Sequence, residues 1–154
     1  MEVEDLMVQK VVTVNADATV REAAKLMNQH EIGCIIAVHA GEMVGIITER
    51  DLLRKVLEES KDPTKIRVRE IMSKKLVVGT PTMSVTDAAR LMLKCNVKKL
   101  PIVVDGRLVG IVTLTDIARA ARVEPQMASL MKELGESGWL PPKRMQKILD
   151  YYIS

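Results

Sequence analysis

Hydrophobic and polar positions follow one pattern that the chain runs through twice. Residues 10–14 are short and β-branched, which predicts a strand. Thr19 and Glu22 then have the form of a capping box. Val20, Ala23, Ala24 and Met27 recur at i, i+3, i+4 and i+7, the apolar face of a helix. Residues 34–38 are continuously apolar, as expected of a strand buried on both faces. The turn Ala40-Gly41-Glu42 leads into a return strand over 43–48, and a second helix is predicted to start at Thr48. The same order recurs further on. Ser84 and Asp87 form the cap, Val85, Ala88, Ala89 and Met92 the face, and Asp105-Gly106-Arg107 the turn. Residues 108–113 form the return strand, and the last helix starts at Thr113. Each unit therefore reads strand, helix, strand, strand, helix.

The two runs are a true internal repeat. Residues 7–56 superimpose on 72–121 without a gap at an offset of 65, with 16 identities in 50 positions. Unrelated chains of ordinary composition would share about 3. Two copies at so long a period exclude a solenoid. A unit of about 60 residues buries too little apolar surface to stand well alone. The expectation is an α+β fold of two tandem motifs packed with pseudo-twofold symmetry and leaving two related clefts. The first motif with its charged, Pro63-containing linker is placed at 1–63, the second at 64–122, and a helical tail at 123–154. The tail has no counterpart in the repeat. Its apolar stripes are Met127, Leu130, Met131, Leu134 and Met145, Ile148, Leu149, Tyr152, and it holds Trp139, Tyr151 and Tyr152, the only aromatic residues of the chain.

Composition narrows the function classes. Apolar residues make up 47% of the chain, enough for a core, but no apolar run approaches the ~20 residues of a membrane span. The acidic start is not a signal peptide, so a cytoplasmic protein is expected. A net charge of +3 with two tyrosines and one tryptophan is weak support for nucleic-acid binding, which needs phosphate-tracking cations and stacking aromatics. Cys34 and Cys95 lack partners at metal spacing, and His30 and His39 are isolated and not equivalent between repeats. No nucleophile–base pair, acid pair or metal cluster points to catalysis.

One repeated segment carries candidate chemistry. Val44-Gly45-Ile46-Ile47-Thr48-Glu49-Arg50-Asp51 is echoed by Val109-Gly110-Ile111-Val112-Thr113-Leu114-Thr115-Asp116. A strand ends, a helix begins, and Thr and Asp stand three apart at the junction. This has the form of a helix cap, like Thr19/Glu22 and Ser84/Asp87, and needs no ligand to explain it. It also has the form of a binding site. A carboxylate offers two acceptor oxygens to the two hydroxyls of a ribose, with an adjustable threonine hydroxyl beside it.

The duplicated unit, the apolar-Gly-apolar-apolar-Thr-x-x-Asp segment in each copy and Val97-Lys98-Lys99-Leu100-Pro101-Ile102 together resemble a pair of CBS domains, the regulatory module named after cystathionine β-synthase. The resemblance covers about four-fifths of the chain. It implies a disc of two motifs whose clefts bind adenosine compounds: AMP, ADP, ATP or S-adenosylmethionine. It also implies crossed sites. One would gather Thr113, Thr115 and Asp116 with Thr13, Gly33, Cys34, Ile35 and Ile36. The other would gather Thr48, Arg50 and Asp51 with Gly79, Thr80, Lys98, Lys99, Leu100 and Pro101. The second set holds three cations and is expected to bind phosphate-bearing ligands more tightly.

The leading expectation is a non-catalytic sensor of adenine nucleotides, with no obligatory cofactor and no metal. A scaffold acting through its tail is the alternative, and nucleic-acid binding a weaker third. A homodimer joined through the alanine-rich helix faces is expected, with any regulated protein on another chain.

Overall fold

The computed structural model describes residues 1–121, and Ser129 and Lys132 beyond them. The helices expected within 123–154 lie outside the described residues. The elements run β1 (Thr13–Asn15), α1 (Val20–Gln29), β2 (Cys34–His39), β3 (Glu42–Thr48), α2 (Glu49–Leu52), α3 (Val68–Ile71), α4 (Val85–Cys95), β4 (Lys99–Val104), β5 (Arg107–Thr113) and α5 (Leu114–Ala121). A 3-10 turn covers Val3–Asp5, and a π-helical turn, Leu53–Leu57, continues α2.

The chain divides into two units. The first-repeat unit comprises residues 10–76 with 105–108; the second-repeat unit comprises 1–9, 77–104 and the chain onward from 109. By this division residues 64–76 group with the first repeat and residues 1–9 with the second.

In the first-repeat unit the sheet order is β1-β2-β3. β1 lies parallel to β2, with Thr13 opposite Ile36. β2 and β3 form an antiparallel hairpin from Cys34 opposite Thr48 to His39 opposite Glu42, with a bulge at Ala37/Val38. Ala40 and Gly41 turn it with φ of +49° and +79°, the two left-handed residues such a tight hairpin needs. α1 carries the predicted reciprocal cap: Glu22 N–H donates to Thr19 Oγ1 at 3.2 Å, and Thr19 N–H to Glu22 Oε2 at 3.3 Å. Three of the four residues of its predicted face, Val20, Ala23 and Met27, pack in a core that includes Val14, Ile35, Ala37, Ile47, Val56, Val68 and Ile71.

The second-repeat unit has the same plan with a reduced first strand. β4 and β5 pair as a two-stranded sheet. The expected partner strand before α4 is only a parallel bridge, Gly79 to Ile102. Gly79 N–H donates to the Pro101 carbonyl at 2.9 Å, and Val103 N–H to the Gly79 carbonyl at 3.0 Å. Proline cannot donate to a ladder, and Pro81 follows the bridge while Pro101 stands across from it, so pairing stops there. At Ser84 only half of the predicted cap forms, Asp87 N–H to Ser84 Oγ at 3.0 Å. Asp87 Oδ1 lies 3.6 Å from Arg90. Val85, Ala88, Ala89 and Met92 pack with Leu100, Ile102, Val112, Leu114 and Ile117.

Ala23, Ala88 and Ala89 are thus buried within their own units, because small side chains let each helix lie close on its sheet. Ala24, the remaining member of the two alanine pairs on which the dimer expectation rested, is half-buried. The exposed large apolar side chains include Leu53 and Leu57, at 58% and 72%.

Each repeat is completed by the segment that leads into the other. Val3 N–H donates to Met83 O at 2.8 Å, and Val8 exchanges bonds with Ile111 at 2.9 and 3.0 Å. The equivalent bonds in the first-repeat unit are Val68 to Ala18 at 2.9 Å and Ser73 with Ile46 at 2.9 and 3.1 Å. Val3 and Val68 are fully buried. The repeated glycines serve this docking. A Cβ on Gly110 would lie 2.6 Å from Met7 Sδ, and one on Gly45 would collide with Met72. The sequence pattern does not reveal α3, because four residues are too few to show a helical period.

Candidate functional site

Both Thr-x-x-Asp segments fold as closed boxes at the strand-to-helix junction. Thr48 N–H and Oγ1–H donate to Asp51 Oδ2 at 2.9 and 3.1 Å, and Asp51 N–H returns a bond to Thr48 Oγ1 at 3.3 Å. The corresponding distances at Thr113 and Asp116 are 3.0, 2.7 and 3.1 Å. The cap reading of the sequence therefore holds as a description of local structure. It leaves the ligand reading open, since one oxygen of each carboxylate, Oδ1, takes no part in the box.

The start of the apolar strand is tied to the same junction within each unit. Glu49 N–H donates to the Gly33 carbonyl at 3.0 Å, and Leu114 N–H to the Lys98 carbonyl at 2.8 Å. In the first-repeat unit this brings Gly33, Cys34, Ile35 and Ile36 beside Thr48, Arg50 and Asp51, with Thr13 in register with Ile36. In the second-repeat unit it brings Lys98, Lys99, Leu100 and Pro101 beside Thr113, Thr115 and Asp116. The Gly79 bridge to the same strand carries Thr80 alongside. The crossed grouping implied by the resemblance instead joins residues belonging to different units. Ile35, Ile36 and Leu100 are buried, while Arg50 and Lys98 are exposed.

Two first-repeat residues near Asp51 were not singled out from the sequence. Lys55 Nζ lies 3.1 Å from Asp51 Oδ1 and donates to the Ile71 carbonyl at 2.9 Å. Glu49 holds its carboxylate 3.6 Å from where a Cβ on Gly33 would stand. Their repeat partners are Ala120 and Leu114, both buried and neutral. The signal was present in the alignment of the repeats, as charges that appear in one copy alone. By unit, Glu49 and Asp51 at the first-repeat junction are accompanied by Arg50 and Lys55, whereas Lys98 and Lys99 stand at the strand start tied to the Asp116 junction.

Two carboxylates away from these junctions have lowered pKa values. A side-chain hydrogen bond from Arg69 lowers that of Asp17, and bonds from the Thr64 side chain and backbone lower that of Asp62. Among the described residues, no group of His, Cys, Asp or Glu is placed to hold a metal ion, and no helix is long and apolar enough to cross a membrane.

The sequence model of the CBS domain matches twice, over residues 3–58 and 68–123. The chain belongs to the CBS domain family. It is 42% identical over 116 residues to the CBS domain-containing protein YhcV of Bacillus subtilis, covering 75% of this chain and 82% of that one. An uncharacterized protein, MK0525 of Methanopyrus kandleri, is 39% identical over 125 residues, and the match spans 80% of this chain and 62% of that relative. Among solved structures, the CBS domain pair of protein MJ0100, in complex with 5′-methylthioadenosine and S-adenosyl-L-methionine, aligns with a TM-score of 0.69 and 33% identity. That alignment covers 78% of this chain and 98% of that one. The two matched segments correspond to the two copies of the strand-helix-strand-strand-helix unit, so the fold expected from the repeat stands as a CBS pair.

Proposed function

We propose that this CBS pair is a non-catalytic regulatory module that binds an adenosine compound, such as AMP, ADP, ATP or an S-adenosyl derivative. The observation that carries the reading is the carboxylate of the Thr-x-x-Asp box. Its Oδ2 is fixed by the threonine, and its Oδ1, which takes no part in the box, is the proposed acceptor for ribose hydroxyls. The strand start beside it, Leu100 and Pro101 in the second-repeat unit, is the proposed place for a purine ring. Lys98 and Lys99 lie at the same strand start for a phosphate. In the first-repeat unit Thr13, Gly33–Ile36, Thr48, Arg50 and Asp51 take the corresponding parts. The MJ0100 pair, with its two adenosine ligands, supports the ligand class.

A nucleotide panel followed by thermal unfolding tests the reading. A ligand at 100 times its Kd adds about 2.7 kcal/mol of stability. No shift with AMP, ATP, adenosine or S-adenosylmethionine at millimolar concentration would overturn it.

The proposed setting is the cytoplasm, in keeping with two cysteines not joined in a disulfide, and the proposed assembly is a homodimer. Leu53 and Leu57 support the dimer as an exposed apolar pair one turn apart. A twofold interface is the commonest closed arrangement for such a surface. Light scattering at the 17.1 kDa monomer mass across the micromolar range would exclude the dimer.

A further inference from the structure

The two ribose anchors differ in what already holds them. Both oxygens of Asp51 have partners: Oδ2 the threonine, and Oδ1 the Lys55 ammonium at 3.1 Å. The Asp51 side chain is 17% exposed and that of Lys55 42%, so the pair sits at the edge of solvent. Lys55 is held from its other side by the Ile71 carbonyl at 2.9 Å, at the end of α3. Four residues after Asp116 stands Ala120, which cannot make such a pair. The backbone differs as well. The helix after Asp51 passes into the π-helical turn that carries Lys55, whereas α5 is α-helical over residues 118–121, which match 53–56.

We infer that Lys55 is a built-in counter-cation that occupies the Asp51 carboxylate in place of a ligand. A ribose diol enters directly at Asp116, but at Asp51 only when Lys55 releases both the carboxylate and the Ile71 carbonyl. Lys55 is thereby the residue that makes the two sites unequal, and Asp116 is the principal anchor. This reverses the ranking expected from the crossed sites, in which Asp51 was the stronger anchor. The inference rests on the ribose reading of the two carboxylates given above. A partly exposed ion pair and one charge-assisted bond to a carbonyl are each modest, so their release lowers affinity at Asp51 by roughly three- to tenfold.

Titration calorimetry on the full chain, with adenosine and AMP as probes, tests it. Asp116→Ala isolates the Asp51 site. Adding Lys55→Gln, which removes the charge and keeps a donor for Ile71, should tighten binding of both probes roughly three- to tenfold over Asp116→Ala alone. Lys55→Met in the same background should act in the same direction, and thermal unfolding of each variant establishes that it is folded. The inference is overturned if Lys55→Gln leaves both affinities unchanged, or if it weakens AMP while sparing adenosine, which would make Lys55 a phosphate ligand. Binding to the parent chain that is lost in Asp116→Ala, with no effect of Lys55→Gln, overturns the inference and leaves the ribose reading standing. Absence of binding by the parent chain and every variant overturns the ribose reading itself, and the inference with it.

Discussion

The junctions at Thr48–Asp51 and Thr113–Asp116 share a backbone shape and a hydrogen-bond pattern, yet their surroundings have opposite character. The first has its carboxylate neutralised by Lys55 and a second acid, Glu49, over Gly33. The second has Ala120 at the position of Lys55, with Lys98 and Lys99 at the adjoining strand. The contrast shows why a Thr-x-x-Asp box cannot be assigned from its own four residues. The box fixes one oxygen in both cases. On the proposed reading, the residue four positions on, one helical turn away, sets whether the other oxygen is a structural partner or a ligand acceptor.

The sharpest way to break this comparison is to remove each carboxylate in turn. Asp116→Ala should lower adenosine affinity about 10- to 100-fold, since a hydrogen bond to a charged group is worth about 1.5–3 kcal/mol. Asp51→Ala should change the overall affinity by less than about threefold, because its oxygens are already engaged. Asp116→Asn separates the charge from the cap, as the amide oxygen can still accept from Thr113. Calorimetry giving equal losses for Asp51→Ala and Asp116→Ala would erase the proposed difference between the sites.

Where the sites differ, the docking of the leading segments is the same in both units, and that sameness can also be tested. Gly45→Ala and Gly110→Ala each drive a methyl group into a methionine, Met72 or Met7. Each should lower stability in urea by about 1–3 kcal/mol, the usual range for overpacking. Shortening the methionine, as in Gly45→Ala with Met72→Ala, should recover part of the loss. A neutral Gly110→Ala beside a costly Gly45→Ala would mean that the two segments are not held alike.

Much of this architecture was legible in the chain. The 3.6-residue stripes gave α1 and α4, the apolar runs β2 and β4, and the Ala-Gly and Asp-Gly pairs the hairpins. These signals are local, and packing agrees with them. The exchange of leading segments was not legible, because it is made by backbone bonds between residues far apart in sequence, such as Val3 with Met83, and backbone groups are the same everywhere. The alignment of Met7 with Met72 and of Gly45 with Gly110 was its only trace. The candidate carboxylates were legible because they repeat. Lys55 and Glu49 were passed over because they do not, and a search built on repetition discards differences between the copies.

An ion pair found in one unit alone gives a smaller contrast. Asp17 pairs with Arg69 at 3.1 Å and faces His39 at 3.5 Å, tying α3 to the turn before α1. The second repeat has Thr82 and Glu4 at the positions of Asp17 and Arg69, so no such pair can form there. The pKa of Asp17 is lowered, first by the hydrogen bond from Arg69. A carboxylate whose pKa is depressed in the folded state stabilises it above the unfolded pKa, and that contribution is lost as pH falls through the folded value. Asp17→Asn should therefore lower stability slightly near pH 7, converge with the parent at pH below about 4, and so flatten the acid side of the stability curve. An unaltered acid limb in Asp17→Asn would show that the pair contributes nothing in solution.

The smallest contrast lies in two backbone positions where the repeats chose different residues for one shape. Glu31 and Asn96 follow α1 and α4 at φ of +52° and +55°, and Ala40 and Asp105 open the hairpin turns at +49° and +52°. The left-handed region crowds Cβ against the backbone for most residues, at roughly 1–2 kcal/mol, and asparagine and aspartate tolerate it better through local hydrogen bonds. The second repeat thus carries the better residue at both places. Transplanting it should help the first: Glu31→Asn and Ala40→Asp should each raise stability by about 0.5–1 kcal/mol. The reverse changes, Asn96→Glu and Asp105→Ala, should lower it by similar amounts. All four sites are exposed and none touches either junction, so adenosine affinity should stay the same. Urea denaturation of the four variants measures the effect. Gains in the first repeat without matching losses in the second would mean that something other than the left-handed backbone sets the preference, such as removal of the Glu31 charge.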